Sequence, residues 1–489
     1  MTRWPRRPLI YEINTWVWLH ELSQKAGRSI TLGNVPDQEW DALASYGFDA
    51  VWFMGVWERS PTGIKISMCN ESLVADFRRA LPDFAPEDNV GSPYCVRDYV
   101  VDRHLGGSKG LAAARQKLAD RGMRLVLDFV PNHVAHDHPW VTEHSEYFIR
   151  GTEEDLARAP GEYQRVGENI VALGRDPYFP PWPDVVQLNA FHPGLRKAAT
   201  ETVVSIAAQC DGMRCDMAML LINRIFERTW GDRAGLAPKT DYWPELIADV
   251  RQRHPNVLFI AEAYWDMEWE LQRQGFDYCY DKRLYDRLEH GGAESVRLHL
   301  CAEAAYQGKL VRFLENHDEP RAAATFSTQQ ARAAAVTVST LQGTILFHEG
   351  QFEGRRVRLP VFLRRRPEEV EDCDLQAFYK RLLQTLRSPS LRDGEWRLCE
   401  RTGWPDNRTY LNLVACCWTK DKQHHLIIAN LSSDRSQGNV RIPVPNLSGR
   451  LWRMTDTMSG AVYDRNGQEL DDTGLYVDLD AWEFHVLTF

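Results

Sequence analysis

The stretch SKGLAAARQKLADRGMRLVLDFV, residues 108–130, indicates the fold of this chain. In its first part apolar residues recur every three or four positions, which predicts a helix that begins with Ser108 as its N-cap and stops at Gly122. Its second part, residues 124–130, is an almost continuous apolar run, typical of a parallel strand covered by helices on both faces. A helix followed by such a strand is one unit of an alternating α/β fold.

The same alternation fills the first 390 residues or so of the chain. The candidate strands are LIYEI (9–13), AVWFM (50–54), RLVLDFV (124–130), GMRCDM (212–217), VLFIAEA (257–263), FDYCY (276–280), LVRFLEN (310–316) and TILFHEG (344–350). Eight strands are the number that a closed (β/α)₈ barrel needs. After about residue 390, segments such as HHLIIANLS and EFHVLTF alternate like antiparallel strands, which predicts a C-terminal β-sandwich.

The connection between the third and fourth strands is longer than a helix and two loops require. It ends in the polar, proline-rich segment GRDPYFPPWPD, which supports an inserted domain over residues 134–187. We therefore predict three domains. They are an α/β TIM barrel over 1–133 and 188–390, the inserted domain over 134–187, and the C-terminal domain over 391–489.

Composition excludes several classes of protein. The net charge of −10 gives no general attraction for nucleic acid or for anionic membranes. The sequence contains no run of 18 apolar residues, and its opening segment lacks the apolar core of a signal peptide. The 10 cysteines show no metal-binding spacing. We expect a cytoplasmic protein with free thiols and no nucleic-acid or membrane partner.

Three of the predicted barrel strands end in a carboxylate. Asp216 closes the fourth strand, Glu262 lies at the end of the fifth, and Asp318 follows the seventh. The carboxyl ends of barrel strands form the mouth where such barrels carry their active sites. Because burying charge is costly, three acids beside apolar runs indicate a function. Glycoside cleavage needs such a set, with one carboxylate as nucleophile and another as proton donor.

Around these residues the sequence resembles a known family. LVLDFVPNHV, DGMRCDMAM, AEAYW and FLENHDEPR are similar to the four signature segments of the α-amylase family of glycoside hydrolases and transglycosidases (glycoside hydrolase family 13), in the expected order. QLNAFHP (187–193) and GSPYCVRDY (91–99) resemble two further segments of the family. The resemblance covers nearly the whole chain and implies a (β/α)₈ barrel, an inserted B domain after strand three and a C-terminal β-sandwich.

The resemblance assigns catalytic roles to the three carboxylates. It implies that Asp216 attacks the anomeric carbon, that Glu262 acts as acid and then as base, and that Asp318 binds sugar hydroxyls and stabilises the transition state. Arg214 lies two residues before Asp216 on the same strand and therefore faces the same side, where its charge is expected to keep Asp216 ionised. The pKa of Glu262 is expected to rise in the closed site.

Further site residues follow from the same resemblance. His133 and His317 match hydrogen-bond donors to the bound sugar, and Tyr94 matches the ring that stacks beneath it. Asp128 matches a position that shapes the site. Asn132 matches a common calcium ligand of the family, which implies a possible structural Ca²⁺; the chemistry itself requires no cofactor.

Two features bear on the substrate. Asp98 and Arg321 match a pair that closes the glucose pocket of α-glucosidase-like members, so we expect a salt bridge between them and exo action on short substrates. Six arginines lie between Arg355 and Arg366, after the eighth strand. We expect them to pair with acids at a domain interface; binding of an anionic acceptor or a phosphorylated sugar is the alternative.

The sequence analysis predicts a retaining α-glycosidase that hydrolyses malto-oligosaccharides or related α-glucans. An endo-acting α-amylase is one alternative, and a transglycosylase or a trehalose-synthase-like isomerase that uses the same intermediate is another. A noncatalytic carbohydrate-binding protein on the same fold is a remote alternative. The oligomeric state is left open.

Overall fold

The computed structural model describes residues 4–489. Eight parallel strands close into a barrel, and we number them β1 to β8 in chain order: Leu9–Asn14, Ala50–Met54, Arg124–Phe129, Gly212–Cys215, Leu258–Ala261, Tyr278–Tyr280, Leu310–Arg312 and Thr344–His348. Each strand pairs with its neighbour in sequence, and β1 closes on β8. The predicted barrel is confirmed. Some strands end earlier than predicted, so that residues 313–318 leave β7 as a loop at the mouth.

Most of the helices cover the outside of the barrel and fill its loops. The longer ones are Thr15–Ala26, Asp37–Ser45, Pro61–Cys69, Glu71–Ala80, Gly107–Ala119, Pro193–Gln209, Tyr242–Arg253, Lys282–His290, Gly292–Leu300, Thr328–Ser339 and Cys373–Leu386. The shorter ones are Trp140–Glu143, Glu153–Arg158, Asn223–Trp230, Glu268–Arg273, Ala304–Gln307, Ala322–Thr325, Pro389–Asp393 and Gly467–Asp472, the last of which lies in the C-terminal domain. Within residues 4–489 none of the helices combines the length and the apolar character needed to cross a membrane.

The helix that precedes β3 starts one residue before the predicted N-cap. It runs over Gly107–Ala119, and its N-cap is Gly106 with φ of 104°. Ser108 as the cap is therefore wrong, because two glycines with positive φ make the turn that only glycine adopts readily. Gly122, with φ of 75°, makes the turn between the end of this helix and β3.

The segment predicted as an inserted domain carries a sheet of its own. Its four antiparallel strands are His133–Ala135, Tyr163–Val166, Asn169–Gly174 and Trp182–Gln187. The first strand pairs with the last, so the segment that leaves the barrel and the segment that returns to it lie side by side. This arrangement places the inserted sheet at the carboxyl end of β3.

The C-terminal residues form two antiparallel sheets. The larger contains Glu395–Leu398, Leu413–Lys420, Gln423–Asn430, Phe484–Thr488, Leu451–Asp456 and Val462–Asn466, and the smaller contains Glu400–Thr402, Ser436–Arg441 and Leu475–Leu479. Buried side chains of both sheets, among them Ile428, Val440 and Val477, share one apolar core. The predicted C-terminal β-sandwich is confirmed.

Candidate active site

Arg214 is the centre of the charged groups inside the barrel mouth. It lies on β4 opposite Asp128 of β3, and its side chain is 1% exposed. Its Nη1 donates to Oδ1 of Asp216 at 2.6 Å, and its Nη2 lies 2.8 Å from Oε2 of Glu262. Asp128 Oδ1 lies 4.0 Å from Nη1. One guanidinium therefore lies within 4.0 Å of carboxyl groups from three adjacent strands or strand ends.

Three aromatic rings surround the same guanidinium. The ring centroids of Trp52, Tyr94 and Tyr280 lie 5.4, 5.1 and 5.7 Å from Arg214 Cζ. Contacts of this kind stabilise a buried cation and restrict its position. Tyr94 is thus in the site, as the sequence predicts. Trp52 and Tyr280 lie within runs that read as ordinary core strands, and no sequence signal separates them from core residues.

Glu262 follows β5 and is 3% exposed. The backbone N–H of Met217 donates to its Oε2 at 2.6 Å, and the hydroxyl of Tyr264 donates to its Oε1 at 3.1 Å. Burial raises the pKa of Glu262 to about 8; the charge of Arg214 opposes this and the charge of Asp216 adds to it. The carboxyl group therefore holds a proton at neutral pH, as a general acid requires.

The backbone is strained one residue after Asp216 and again three residues after Glu262. Met217, which follows Asp216, has φ of 42°, and Trp265 and Asp266 have φ of 58° and 63°. Residues other than glycine rarely adopt this left-handed backbone conformation, and such strain concentrates at functional sites. At Met217 the sharp turn directs the N–H group onto Glu262.

Asp318 lies in the loop beyond β7, and its side chain is 42% exposed. Its Oδ2 lies 2.9 Å from Nε2 of His317. The partial loss of water around Asp318 in the mouth acts to raise its pKa, but the charge and hydrogen bonding of His317 outweigh this and lower the pKa to about 2. Tyr94 Oη lies 2.6 Å from the same Nε2, and Nδ1 of His317 hydrogen-bonds to Glu12.

His133 and Asp128 line the same mouth. His133 is buried, with its ring 5.1 Å from that of Trp182 in the inserted sheet, and burial lowers its pKa. Asp128 accepts from the N–H of Gly55 at 3.2 Å, and burial raises its pKa to about 6 against the opposing charge of Arg214. These two groups shape the wall between β2, β3 and the inserted sheet.

Asn132, the predicted calcium ligand, hydrogen-bonds to Gln187 in the inserted sheet. Its Oδ1 accepts from Nε2 of Gln187 at 2.9 Å, and its Nδ2 donates to Oε1 of Gln187 at 3.2 Å. Across residues 4–489, no three His, Cys, Asp or Glu side chains come together as a metal site would require. The side-chain oxygen of Asn132 thus already has a partner in Gln187, and the structural Ca²⁺ stays a prediction.

The expected salt bridge between Asp98 and Arg321 does not form, and this prediction is wrong. Arg321 is buried, and its Nη1 donates to Glu315 Oε1 at 2.5 Å and lies 2.8 Å from His348 Nδ1. Asp98 instead lies on the strand Val96–Val101, opposite Glu58. The physical reason is proximity. Glu315 and Arg321 both follow β7 in the chain, and the carboxylate of Glu315 reaches the buried guanidinium of Arg321.

The arginine-rich segment pairs mainly with acids of the barrel and its loops, which is not the domain interface that the sequence analysis predicts. Arg365 bonds both carboxylate oxygens of Asp88, at 2.7 and 2.8 Å, and Arg366 lies 2.7 Å from Glu349. Arg358 is exposed and donates to the main-chain oxygen of Asp318 at 2.9 Å. The segment thus fixes the wall of the mouth on the β8 side.

The chain is similar in sequence to known enzymes of carbohydrate metabolism. A family model described as the alpha-amylase catalytic domain matches residues 38–290, more than half of the chain. The alpha-amylase MalA of Haloarcula japonica is 25% identical over 365 residues, which are 73% of this chain and 45% of that protein. An alpha-1,4-glucan:maltose-1-phosphate maltosyltransferase of Bifidobacterium longum is 27% identical over 49% of this chain and 28% of its own length. The chain thus spans less than half the length of these two relatives.

Solved structures share the whole fold. The maltogenic alpha-amylase AmyB of Thermotoga neapolitana superposes with a TM-score of 0.70 at 17% identity, over 99% of each chain. An alpha-amylase of Lactobacillus plantarum gives a TM-score of 0.69 at 19% identity, again over 99% of each chain. With the matched family model and the carboxylates placed as described, this chain belongs to the α-amylase family.

Proposed function

We propose that the chain is a retaining α-glycosidase that hydrolyses α-glucosidic bonds in malto-oligosaccharides or related α-glucans. The observation that carries this proposal is the bridging of Asp216 and Glu262 by the two Nη atoms of Arg214. The two short contacts of this one guanidinium keep the carboxyl groups of Asp216 and Glu262 close together. In retaining glycosidases the two carboxyl groups are about 5 Å apart. An inverting enzyme needs room for a water molecule between nucleophile and sugar.

Each group has a state that suits its proposed step. Asp216, paired with Arg214, attacks the anomeric carbon and forms a glycosyl ester as Glu262 gives its proton to the departing oxygen. Glu262, now ionised, then takes a proton from the water that hydrolyses the ester. Asp318 accepts hydrogen bonds from sugar hydroxyls, and its ionised carboxylate stabilises the positive charge that develops on the sugar ring.

Product analysis over time on reducing-end-labelled maltoheptaose, with maltose, trehalose and sucrose alongside, tests the proposal. We expect cleavage with retention of anomeric configuration, seen by proton NMR of the first product, and a loss of about 10⁴-fold or more in Asp216→Asn. The matched control is Asp211→Asn, a carboxylate at the opposite end of β4 that pairs with Arg115. An inverted product, or equal losses in both variants, would exclude the proposed role of Asp216.

Transfer to a sugar hydroxyl is the second candidate, because a relative named a maltosyltransferase is 27% identical to this chain. Both outcomes draw on the same intermediate and differ only in which acceptor reaches it. Adding maltose or inorganic phosphate to the maltoheptaose reaction distinguishes transfer from hydrolysis. Longer oligosaccharides or a maltosyl phosphate as main products would assign transfer, and unchanged hydrolysis products would assign hydrolysis.

We also propose that the protein acts in the cytoplasm. Three exposed thiols, at Cys69, Cys301 and Cys373, support a reducing compartment. Cell fractionation with a tagged full-length protein tests this, and recovery in the culture medium would contradict it.

A further inference from the structure

Glu12 is a buried carboxylate to which the proposed mechanism gives no role. It lies on β1, in register with His348 of β8, and its side chain is 0% exposed. Oε1 of Glu12 hydrogen-bonds to Nδ1 of His317, whereas Oε2 is buried without a hydrogen-bond partner in the described structure. A buried carboxylate with so few partners is costly to the fold, which points to a role in the site.

His317 has an acidic neighbour at each ring nitrogen. Its Nδ1 bonds to Glu12, and its Nε2 lies 2.9 Å from Asp318 Oδ2 and 2.6 Å from Tyr94 Oη. An ionised carboxylate only accepts hydrogen bonds, so Nδ1 must carry a proton. A bare Nε2 would turn its lone pair toward the Asp318 oxygen, which is repulsive. A proton on Nε2 instead attracts both Asp318 and the tyrosine oxygen.

We propose that Glu12 is a positioning residue for the reaction, which holds His317 as a doubly protonated imidazolium and thereby fixes the ionised carboxylate of Asp318 beside the sugar-binding position. The proposal rests on the proposed function and deepens it. Glu12 acts through His317, because a neutral ring could neither pair with Asp318 by charge nor keep a proton on both nitrogens.

The surrounding groups are consistent with this state. Burial acts to lower the pKa of His317, but Asp318 and Glu12 outweigh it and raise that pKa well above its ordinary value. The other titratable groups near the ring or near Glu12 are Tyr94, Asp128, Tyr280 and His348. Burial and the charge of Arg321 lower the pKa of His348 far below its ordinary value, so it stays neutral. The ring of Trp52 meets His317 edge-on at 5.5 Å and closes the remaining side.

The pH dependence follows from these contacts. In the wild type Asp318 and Glu12 raise the pKa of His317 well above its ordinary value, and we expect Glu262 to set the alkaline limb of activity. Glu12→Gln keeps a hydrogen-bond acceptor for Nδ1 but removes a charge in direct contact, and the pKa of His317 must fall. We expect the alkaline limb of kcat/KM in this variant to move down by about one pH unit or more, with activity recovered at lower pH.

Nitrogen NMR of the full chain labelled with ¹⁵N-histidine measures the protonation of the ring nitrogens directly. The chain has 15 histidines, so the His317 signal is assigned by its loss in His317→Gln. At pH 7.5 we expect two protonated ring nitrogens in the wild type and one in Glu12→Gln. This measurement needs no substrate, so it tests the role of Glu12 even where the proposed glycosidase activity fails.

Asp456→Asn is the matched control, since Asp456 is a buried carboxylate bonded to Nδ1 of His485 at 2.7 Å in the C-terminal domain. It should leave both the pH profile and the His317 signal unchanged. A wild-type ring with a single protonated nitrogen would overturn the proposal, as would a Glu12→Gln variant that loses activity equally at every pH. A wild-type ring with one protonated nitrogen would overturn the proposal even where Glu12→Gln fails to fold.

Discussion

Replacing Glu262 by glutamine should stabilise the protein, and by more as the pH rises. Burial raises the pKa of Glu262 from 4.5 to about 8, so the folded state keeps a proton that the unfolded chain loses between these values. The free energy of unfolding of the wild type therefore falls as the pH rises through this window. Linkage gives a cost of about 3 kcal/mol at pH 7 and about 5 kcal/mol above pH 8, and the Glu262→Gln variant does not carry this cost because its amide does not titrate.

Urea unfolding of wild type and Glu262→Gln at pH 5, 7 and 8, followed by tryptophan fluorescence, measures the difference. We expect a difference of about 1 kcal/mol at pH 5 that grows to about 3 kcal/mol at pH 7. Glu154→Gln, an exposed glutamate of the Glu153–Arg158 helix, is the control and should show no such trend. A difference that is the same at all three pH values would refute a strongly raised pKa for Glu262.

Three further outcomes are expected. The kcat/KM of the wild type should decline above about pH 8 as Glu262 loses its proton, and a profile that rises into alkali would contradict its role as the acid. Arg214→Lys should reduce kcat about 100-fold or more in steady-state assays, because a single ammonium group does not span both carboxylates as a guanidinium does. Arg321→Ala should lower the free energy of unfolding by about 3 to 5 kcal/mol by leaving Glu315 buried and unpaired, and a change in substrate range at full stability would refute this.

The barrel was predictable because hydrophobic burial leaves a direct trace in the sequence. Strands covered on both faces must be apolar along their length, and all eight such runs form the barrel. Their ends were less predictable. The run LVRFLEN at 310–316 is apolar beyond Arg312, yet pairing stops there, because where a strand ends depends on its neighbours as well as on its own residues.

The three carboxylates were predictable because each follows an apolar strand at the mouth. The partner of Arg321 was not, since Asp98 and Glu315 are equally plausible partners in a sequence and only the fold shows which one lies in reach. Glu12 was missed although LIYEI places a single acid within an apolar strand. That lone charge was the available signal, and its partner His317 lies 305 residues away.

Because the guanidinium of Arg214 is shared, the loss of one of its partners in evolution also affects whether the other residues are retained. A copy of this gene that drifted free of selection for activity and lost Asp216 would keep a buried cation short of countercharge. Selection for a folded product alone would then favour loss of the arginine and of the remaining acid. In homologues that have lost activity we therefore expect Arg214 and its acidic partners to be replaced together. The presence of Arg214 in a homologue then indicates an active enzyme.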